Sequence, residues 1–293
     1  MTDLLSNTEI ERYHHDGYVV PDYALPPETM AELDSALEET IVSNPSVRPE
    51  HLVSAHIDRL NDEGIRGHSA WLNLAQNPEI LDRVEQLIGP NIILWGCQVF
   101  CKPASDGMEV PMHQDGHYWP IQPLATCTAW VAIDDSNVGN GCLRVIPGSH
   151  SGQHYYQHSK SDREHLVLNQ HVDDPRVDIG NAVDVELSPG QFSLHDVYMI
   201  HGSIQIPPMN VGLVSLSATC QQPATSIARF TKPVRARATW SILRQDRCGY
   251  CGEKIEATMI FRLAIEPCAH QRSAREQFQI DTFIFYTAET LAC

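Results

Sequence analysis

Residues 126–150, TCTAWVAIDDSNVGNGCLRVIPGSH, contain two short apolar runs, at 126–133 and 142–146, and a turn signal follows each of them. The signals are Asn140-Gly141 and Pro147-Gly148, dipeptides that separate antiparallel strands. Strand-like runs also occur on both sides, at 91–102, 182–187, 191–194 and 197–200, without helical patterns between them. Many short strands in succession predict an antiparallel sandwich or jelly roll.

The N-terminal part of the chain has helical patterns instead. Thr8 and Glu11 are spaced as a capping box, which predicts a helix start. Pro26-Pro27-Glu28 opens a second helix, and a third spans 78–88 before the stop signal Gly89-Pro90. The predicted fold class is therefore mainly β with N-terminal helices, with the helices within 8–90 and the jelly-roll strands within 91–203.

Composition limits the classes of partner. The chain has 293 residues, is 42% hydrophobic and carries a formal net charge of -17. An acidic chain is a poor match for nucleic acid or an anionic membrane, and no apolar run approaches membrane-spanning length. Nine cysteines without framework spacing indicate reduced thiols. We therefore expect a cytoplasmic protein without a nucleic-acid or membrane partner.

The charge changes abruptly along the chain. Residues 1–203 hold 10 Lys and Arg against 30 Asp and Glu, a net of -20, whereas residues 204–293 hold 10 against 7, a net of +3. Fourteen of the fifteen histidines precede residue 204. A shift of this kind predicts a domain boundary near residue 203.

A candidate metal site follows from His113, Asp115 and His201. Residues i and i+2 of a strand project from the same face, so His113 and Asp115 are expected to converge. His201, at the end of a predicted strand, supplies a third ligand. Two histidines and one carboxylate form the facial triad of non-haem Fe(II) oxygenases, which leaves metal positions open for a co-substrate and O2. Spacing does not single out four other histidines, which we expect at the surface or around the site: His150, His154, His158 and His195.

Several motifs together resemble the phytanoyl-CoA dioxygenase family. They are Gln98 with Lys102, the triplet at 113–115, the run NGCLRVIPGSH at 140–150, and His-Gly-Ser at 201–203, in the family's order and spacing. The resemblance covers about residues 8–203. It implies a double-stranded β-helix, which is a cupin-like jelly roll, and a dioxygenase that depends on Fe(II) and 2-oxoglutarate.

The resemblance also implies roles for individual residues. His113, Asp115 and His201 are the implied iron ligands, and the pocket for 2-oxoglutarate is lined by Gln98, Lys102, Trp130 and Ser203. With O2, such an enzyme hydroxylates a small organic substrate and releases succinate and CO2. Because Asp115 is present, hydroxylation is favoured over halogenation. Three residues next to the ligands are expected either to contact the substrate or to pack: His117, Tyr118 and Trp119.

The sequence departs from the family pattern after Ser203. The family continues with a Pro-Asn turn and an arginine that binds 2-oxoglutarate, but this chain has no Lys or Arg between Arg176 and Arg229. Allowed codons for residues 204–212 and 218–228, read in a shifted frame, encode family-like PNTSDERR and YMP. We therefore expect residues 204–293 to be an out-of-frame, poorly ordered tail, with the C-terminal strands of the jelly roll incomplete.

Three alternatives remain open at the level of sequence. The first is a catalytically inactive metal-binding β-helix that lacks the 2-oxoglutarate arginine. The second is a cupin-like Zn or Mn enzyme that does not use 2-oxoglutarate. The third is a genuine C-terminal module with a zinc site at Cys248, Cys251, Cys268 and His270, although this spacing is poor.

Overall fold

The structure is a computed structural model of the chain. It describes residues 4–104, 106–119 and 125–206, together with the backbone of three strands further on. No helix among these residues is long and apolar enough to cross a membrane. The four cysteines that precede residue 204 are free and buried.

Four helices lie within residues 7–88, and the sequence predicts three of them. The first begins one residue before Thr8, and its capping box is formed by Ser6 and Glu9, so the prediction of Thr8 and Glu11 was wrong. Ser6 has extended backbone and accepts from the Glu9 N–H, while the Glu9 carboxylate accepts from the Ser6 N–H at 2.7 Å. The helices are α1 (Asn7–Asp16), α2 (Pro27–Ser43), α3 (Ser69–Ala75) and α4 (Pro78–Ile88).

The strands form two main antiparallel sheets, which confirms the jelly-roll prediction. The major sheet has the order β1-β9-β4-β11-β2, and the minor sheet has the order β3-β10-β5-β8. Two further pairs, β6-β7 and β12-β13, stand apart. The strands are β1 (Tyr18–Val19), β2 (Cys97–Lys102), β3 (Val110–His113), β4 (Cys127–Ala132), β5 (Leu143–Val145), β6 (His158–Lys160), β7 (Gln170–Val172), β8 (Val183–Val185), β9 (Phe192–Asp196), β10 (His201–Ser203), β11 (Ser215–Gln221), β12 (Val234–Arg235) and β13 (Arg262–Leu263).

The two faces of the major sheet differ in chemistry. On the outer face, side chains such as Val131 and Leu194 belong to one apolar core with helix residues such as Trp71 and Ile80. Alternate residues of the same strands project between the sheets, where Trp130 packs with residues of the minor sheet. The helices therefore cover one face, and the other face is available to line an interior site.

Local details of the strand predictions need correction. Only residues 97–102 of the predicted run 91–102 form a strand. The run 197–200 is a turn, closed by a hydrogen bond from the Met199 N–H to the Asp196 carbonyl, and the strand begins at His201. Asp115 lies in a 3-10 turn after β3 rather than on the strand itself. We expected residues 204–293 to be a poorly ordered tail. Apart from 204–206 and the backbone of three strands, these residues lie outside the described part of the chain.

Candidate metal and co-substrate site

Neighbouring strands of the minor sheet bring the three candidate ligands together. His201 on β10 is the direct cross-strand partner of His113 at the end of β3. The 3-10 turn that follows β3 directs Asp115 back toward both rings, with its Oδ1 at 3.3 Å from His113 Nε2 and 3.6 Å from His201 Nε2. One ligand atom from each residue lies within 4.8 Å of the other two.

Backbone carbonyls fix the orientation of both imidazoles. His113 Nδ1 lies 2.8 Å from the Pro111 carbonyl, and His201 Nδ1 lies 3.1 Å from the Met199 carbonyl. A carbonyl oxygen only accepts, so Nδ1 carries the proton in both rings. Each Nε2 consequently presents its lone pair toward Asp115, which is the tautomer that a metal ligand requires.

The triad is buried and its charge state suits a cation. All three residues are less than 10% exposed. Burial lowers the pKa of His201 to about 4, so its ring is neutral at physiological pH. Burial alone raises the pKa of Asp115, but His201 and His113 more than offset this effect and hold it below its ordinary value. The site therefore contains one carboxylate and uncharged imidazole nitrogen.

A row of buried polar atoms between the sheets has no hydrogen-bond partner among the described residues. It includes three atoms of the predicted co-substrate pocket, namely Gln98 Oε1, Trp130 Nε1 and Ser203 Oγ. An unpaired buried polar atom costs about 1–3 kcal/mol, so such a row is expected where a polar ligand binds.

The same row contains Thr128 and Ser193, which the sequence analysis did not name, and His195, which it expected at the surface or around the site. Thr128 lies opposite His195, and Trp130 lies opposite Ser193, across the β4-β9 pair. His195 is fully buried, not at the surface, and its ring centroid is 4.7 Å from that of His201. The sequence did contain a signal for this interior face, because the polar Ser193 and His195 alternate with the apolar Phe192 and Leu194 along β9.

Lys102 supplies a buried cation near Ser203. Its Nζ donates to the Ile204 carbonyl at 2.6 Å. Burial lowers the pKa of Lys102 to about 8, and the nearby Glu50 partly offsets the effect. Lys102 is thus charged at neutral pH and can pair with an anion.

The three predicted substrate residues have different environments. The Tyr118 ring centroid lies 6.2 Å from that of His113, so Tyr118 borders the triad. His117 is exposed and stacks on His158 at 4.0 Å. Trp119 is buried and packs with Val197 and Tyr198.

The other histidines do not join the triad. His150 Nε2 contacts the His14 carbonyl at 3.1 Å, and His154 is exposed. His158 Nε2 accepts from the Gln114 N–H at 3.3 Å, which places this ring beside the segment that carries the ligands. Burial lowers the pKa of His158 to about 4, so its ring is uncharged at neutral pH.

Comparison with solved structures identifies the same fold. An apo non-haem monooxygenase, ThoJ, aligns with a TM-score of 0.61 and 22% identity over 82% of this chain and 85% of that chain. EvdO2 from Micromonospora carbonacea var. aurantiaca, solved with 2-oxoglutarate, aligns with a TM-score of 0.59 and 17% identity over 75% and 91%.

Sequence comparison gives the family. Peroxisomal phytanoyl-CoA dioxygenase from Bos taurus is 31% identical over 154 residues, which are 51% of this chain and 43% of that protein. The chain thus spans less than half the length of this curated relative. A profile of the family described as phytanoyl-CoA dioxygenase (PhyH) matches residues 13–206, about two thirds of the chain. This protein belongs to the phytanoyl-CoA dioxygenase family.

Proposed function

We propose that the protein is an Fe(II)- and 2-oxoglutarate-dependent dioxygenase that hydroxylates a small organic substrate. One observation carries the proposal: the buried triad faces a row of polar side-chain atoms that have no hydrogen-bond partner in the described part of the chain. The triad suits a metal, and the row suits a polar co-substrate beside it.

The donor set of the triad fits Fe(II). Two imidazole nitrogens and one carboxylate oxygen, contributed by His113, His201 and Asp115, make up the facial arrangement that leaves positions open on the metal. The carboxylate balances part of the metal charge. The fixed Nδ1–H bonds hold both rings in place before a metal arrives.

The surrounding side chains provide a binding surface for 2-oxoglutarate. Lys102 is a cation for the distal carboxylate, and Ser203 is a hydroxyl donor next to the carbonyl that Lys102 contacts. Gln98 and Trp130 line the pocket between the sheets. When bound, Fe(II), 2-oxoglutarate and O2 supply the oxidising power: one oxygen atom enters succinate as CO2 is lost, and the other enters the substrate C–H bond.

The substrate is expected to enter beside Tyr118. Its ring borders His113, while His117 and His158 form a stacked pair further out. We propose His117 and Tyr118 as substrate contacts and Trp119 as a buried support of the same loop. A cytoplasmic location likewise stays a prediction.

Succinate release tests the proposed function. The full chain is incubated with 2-oxoglutarate and ascorbate in the presence of Fe(II), Mn(II) or Zn(II). We expect succinate with Fe(II) alone, at a low rate without the prime substrate. Absence of succinate despite Fe(II) binding would favour the other two readings, an inactive metal-binding β-helix or a cupin-like enzyme that does not use 2-oxoglutarate.

A further inference from the structure

His195 is a buried histidine without a hydrogen-bond partner in the part of the chain that the structure describes. It is 0% exposed, and neither of its ring nitrogens has a hydrogen-bond partner among the described residues. A neutral imidazole has one N–H donor and one acceptor lone pair, and leaving both unpaired is costly.

The position of His195 directs its ring toward the triad. Its neighbours Phe192 and Leu194 belong to the core beneath the helices, so the alternation of β9 turns Ser193 and His195 between the sheets. The ring centroid of His195 lies 4.7 Å from that of His201, which in turn lies 4.3 Å from that of His113. An apolar side chain would fill this space without an unpaired donor.

His195 lies outside the candidate ligand set. Within the described residues, the ligand atoms that approach one another within 4.8 Å belong to His113, Asp115 and His201. The hydroxyl of Thr128, directly across the β4-β9 pair, is also buried without a partner. Two side-chain donors therefore lie next to the metal site but not in it, an arrangement that suits an acceptor-only group such as a carboxylate.

We propose that His195 donates a hydrogen bond to the carboxylate of the 2-oxo acid that lies nearest the triad, with Thr128 as a second donor. The proposal rests on the proposed function and goes beyond it. It assigns the two ends of the co-substrate to different residues. His195 acts beside His201, whereas Lys102 acts beside Ser203 at the distal carboxylate.

This division of roles is testable with two anions. Oxalate has the chelating end of 2-oxoglutarate but no distal carboxylate. The Mn(II)-loaded full chain is titrated calorimetrically with each anion, as wild type, His195→Phe and Lys102→Met. We expect His195→Phe to weaken both anions by a similar factor, about 10-fold to 100-fold, because a hydrogen bond to a charged group is lost. Lys102→Met should weaken 2-oxoglutarate alone.

Controls separate binding from damage to the strand. Leu194→Ile alters the opposite face of β9 and should leave both affinities unchanged. His195→Gln keeps an N–H donor and should lose less anion affinity than His195→Phe, and Mn(II) affinity should be unchanged in both because His195 lies outside the candidate ligand set. If His195→Phe does not fold, Thr128→Val removes the neighbouring donor and should also weaken both anions.

Three outcomes have distinct meanings. If His195→Phe binds both anions with wild-type affinity, the inference is overturned and the proposed function stays intact. If His195→Phe does not fold, the same result in Thr128→Val has the same meaning. A loss of Mn(II) affinity in His195→Phe would also overturn it, because His195 would then be a ligand. Failure of the wild-type Mn(II) protein to bind 2-oxoglutarate would overturn the proposed function, and the inference with it.

Discussion

At the scale of single residues, the candidate site depends on which side-chain atoms already form hydrogen bonds to the backbone. His113 and His201 each use Nδ1 in a bond to a carbonyl two residues earlier, which leaves Nε2 for a metal. Asp115 is the single carboxylate of the triad, and both neighbouring rings hold its pKa below the ordinary value despite burial. Lys102 is a buried cation beside the Ile204 carbonyl, next to Ser203, so its protonation governs the binding of anions there.

Replacing Asp115 should disable the metal centre. Asp115→Ala removes the charged ligand, and we expect metal affinity to fall by more than about 10-fold, since even outer partners of ligands contribute 10–100-fold. Succinate production should be lost with it. Asp162→Ala, at an exposed position, is the matched control for a lost carboxylate. Unchanged turnover in Asp115→Ala would exclude the triad as the catalytic centre.

The pKa of Lys102 predicts a pH dependence of co-substrate affinity. Burial places this pKa at about 8, and 2-oxoglutarate remains a dianion throughout the range. Lys102 is charged below pH 8 and must gain a proton to bind the anion above it, so affinity should fall as pH rises through 8, by at most about 10-fold per unit. Calorimetric titrations between pH 6.5 and 9.5 measure this. Lys102→Met should bind weakly at pH 7 and lack the fall; the same fall in Lys102→Met would assign it to another group.

At the scale of elements, the site depends on how closely β10 approaches β3. Gly202 lies between His201 and Ser203, and a Cβ added there would meet the Val110 carbonyl oxygen at 2.6 Å and the Met112 nitrogen at 3.0 Å. Both are backbone atoms, so they cannot move aside as a flexible side chain can. The glycine therefore allows the cross-strand pairing that places His201 opposite His113.

Gly202→Ala should consequently damage both stability and the metal site. We expect the free energy of unfolding to fall by about 1–3 kcal/mol, as for other overpacked positions, and metal affinity to fall as β10 moves away from β3. Thermal unfolding and metal titration measure the two effects. In Gly139→Ala the added methyl meets a side-chain oxygen at 3.1 Å, so this variant should change neither.

The sequence predicts some elements better than others for identifiable reasons. The helix at 78–88 was predicted correctly because Pro78 and Gly89 mark both of its ends. The convergence of His113 and Asp115 was expected from strand geometry, but a 3-10 turn produces it. His195 was expected at the surface or around the site, and the structure places it in the interior beside His201. The sequence did not decide between the two positions because its strand is followed by another apolar run, 197–200, which forms a turn. Tertiary packing decides which of two adjacent apolar runs forms a strand and which forms a turn, and the local sequence carries no signal of that outcome.

At the scale of the whole molecule, the helices and the minor sheet cover opposite faces of the major sheet, and the site lies between the sheets. β11 occupies the major sheet between β4 and β2, but its sequence, SLSATCQ, contains no Lys or Arg. The family match ends at residue 206, close to the change in net charge. Both observations support the proposal that the chain is out of frame from about residue 204.

Restoring the reading frame after Ser203 tests that proposal. The restored chain should carry an arginine for the distal carboxylate and bind 2-oxoglutarate more tightly, because a buried charge without its partner loses ~2–5 kcal/mol. The same titration of both chains gives the comparison. Resequencing codons 195–235 is the control, and a read that confirms the present frame would contradict the proposal.

The most direct test of the iron site needs no substrate. Fe(II) and then 2-oxoglutarate are added to the full chain without O2, and the visible charge-transfer band of a chelated 2-oxo acid is recorded. We predict a band that saturates at one equivalent of Fe(II) per chain in wild type and is absent in His113→Ala and Asp115→Ala. No band in wild type, or an undiminished band in both variants, would contradict the assignment of His113, Asp115 and His201 as the iron centre.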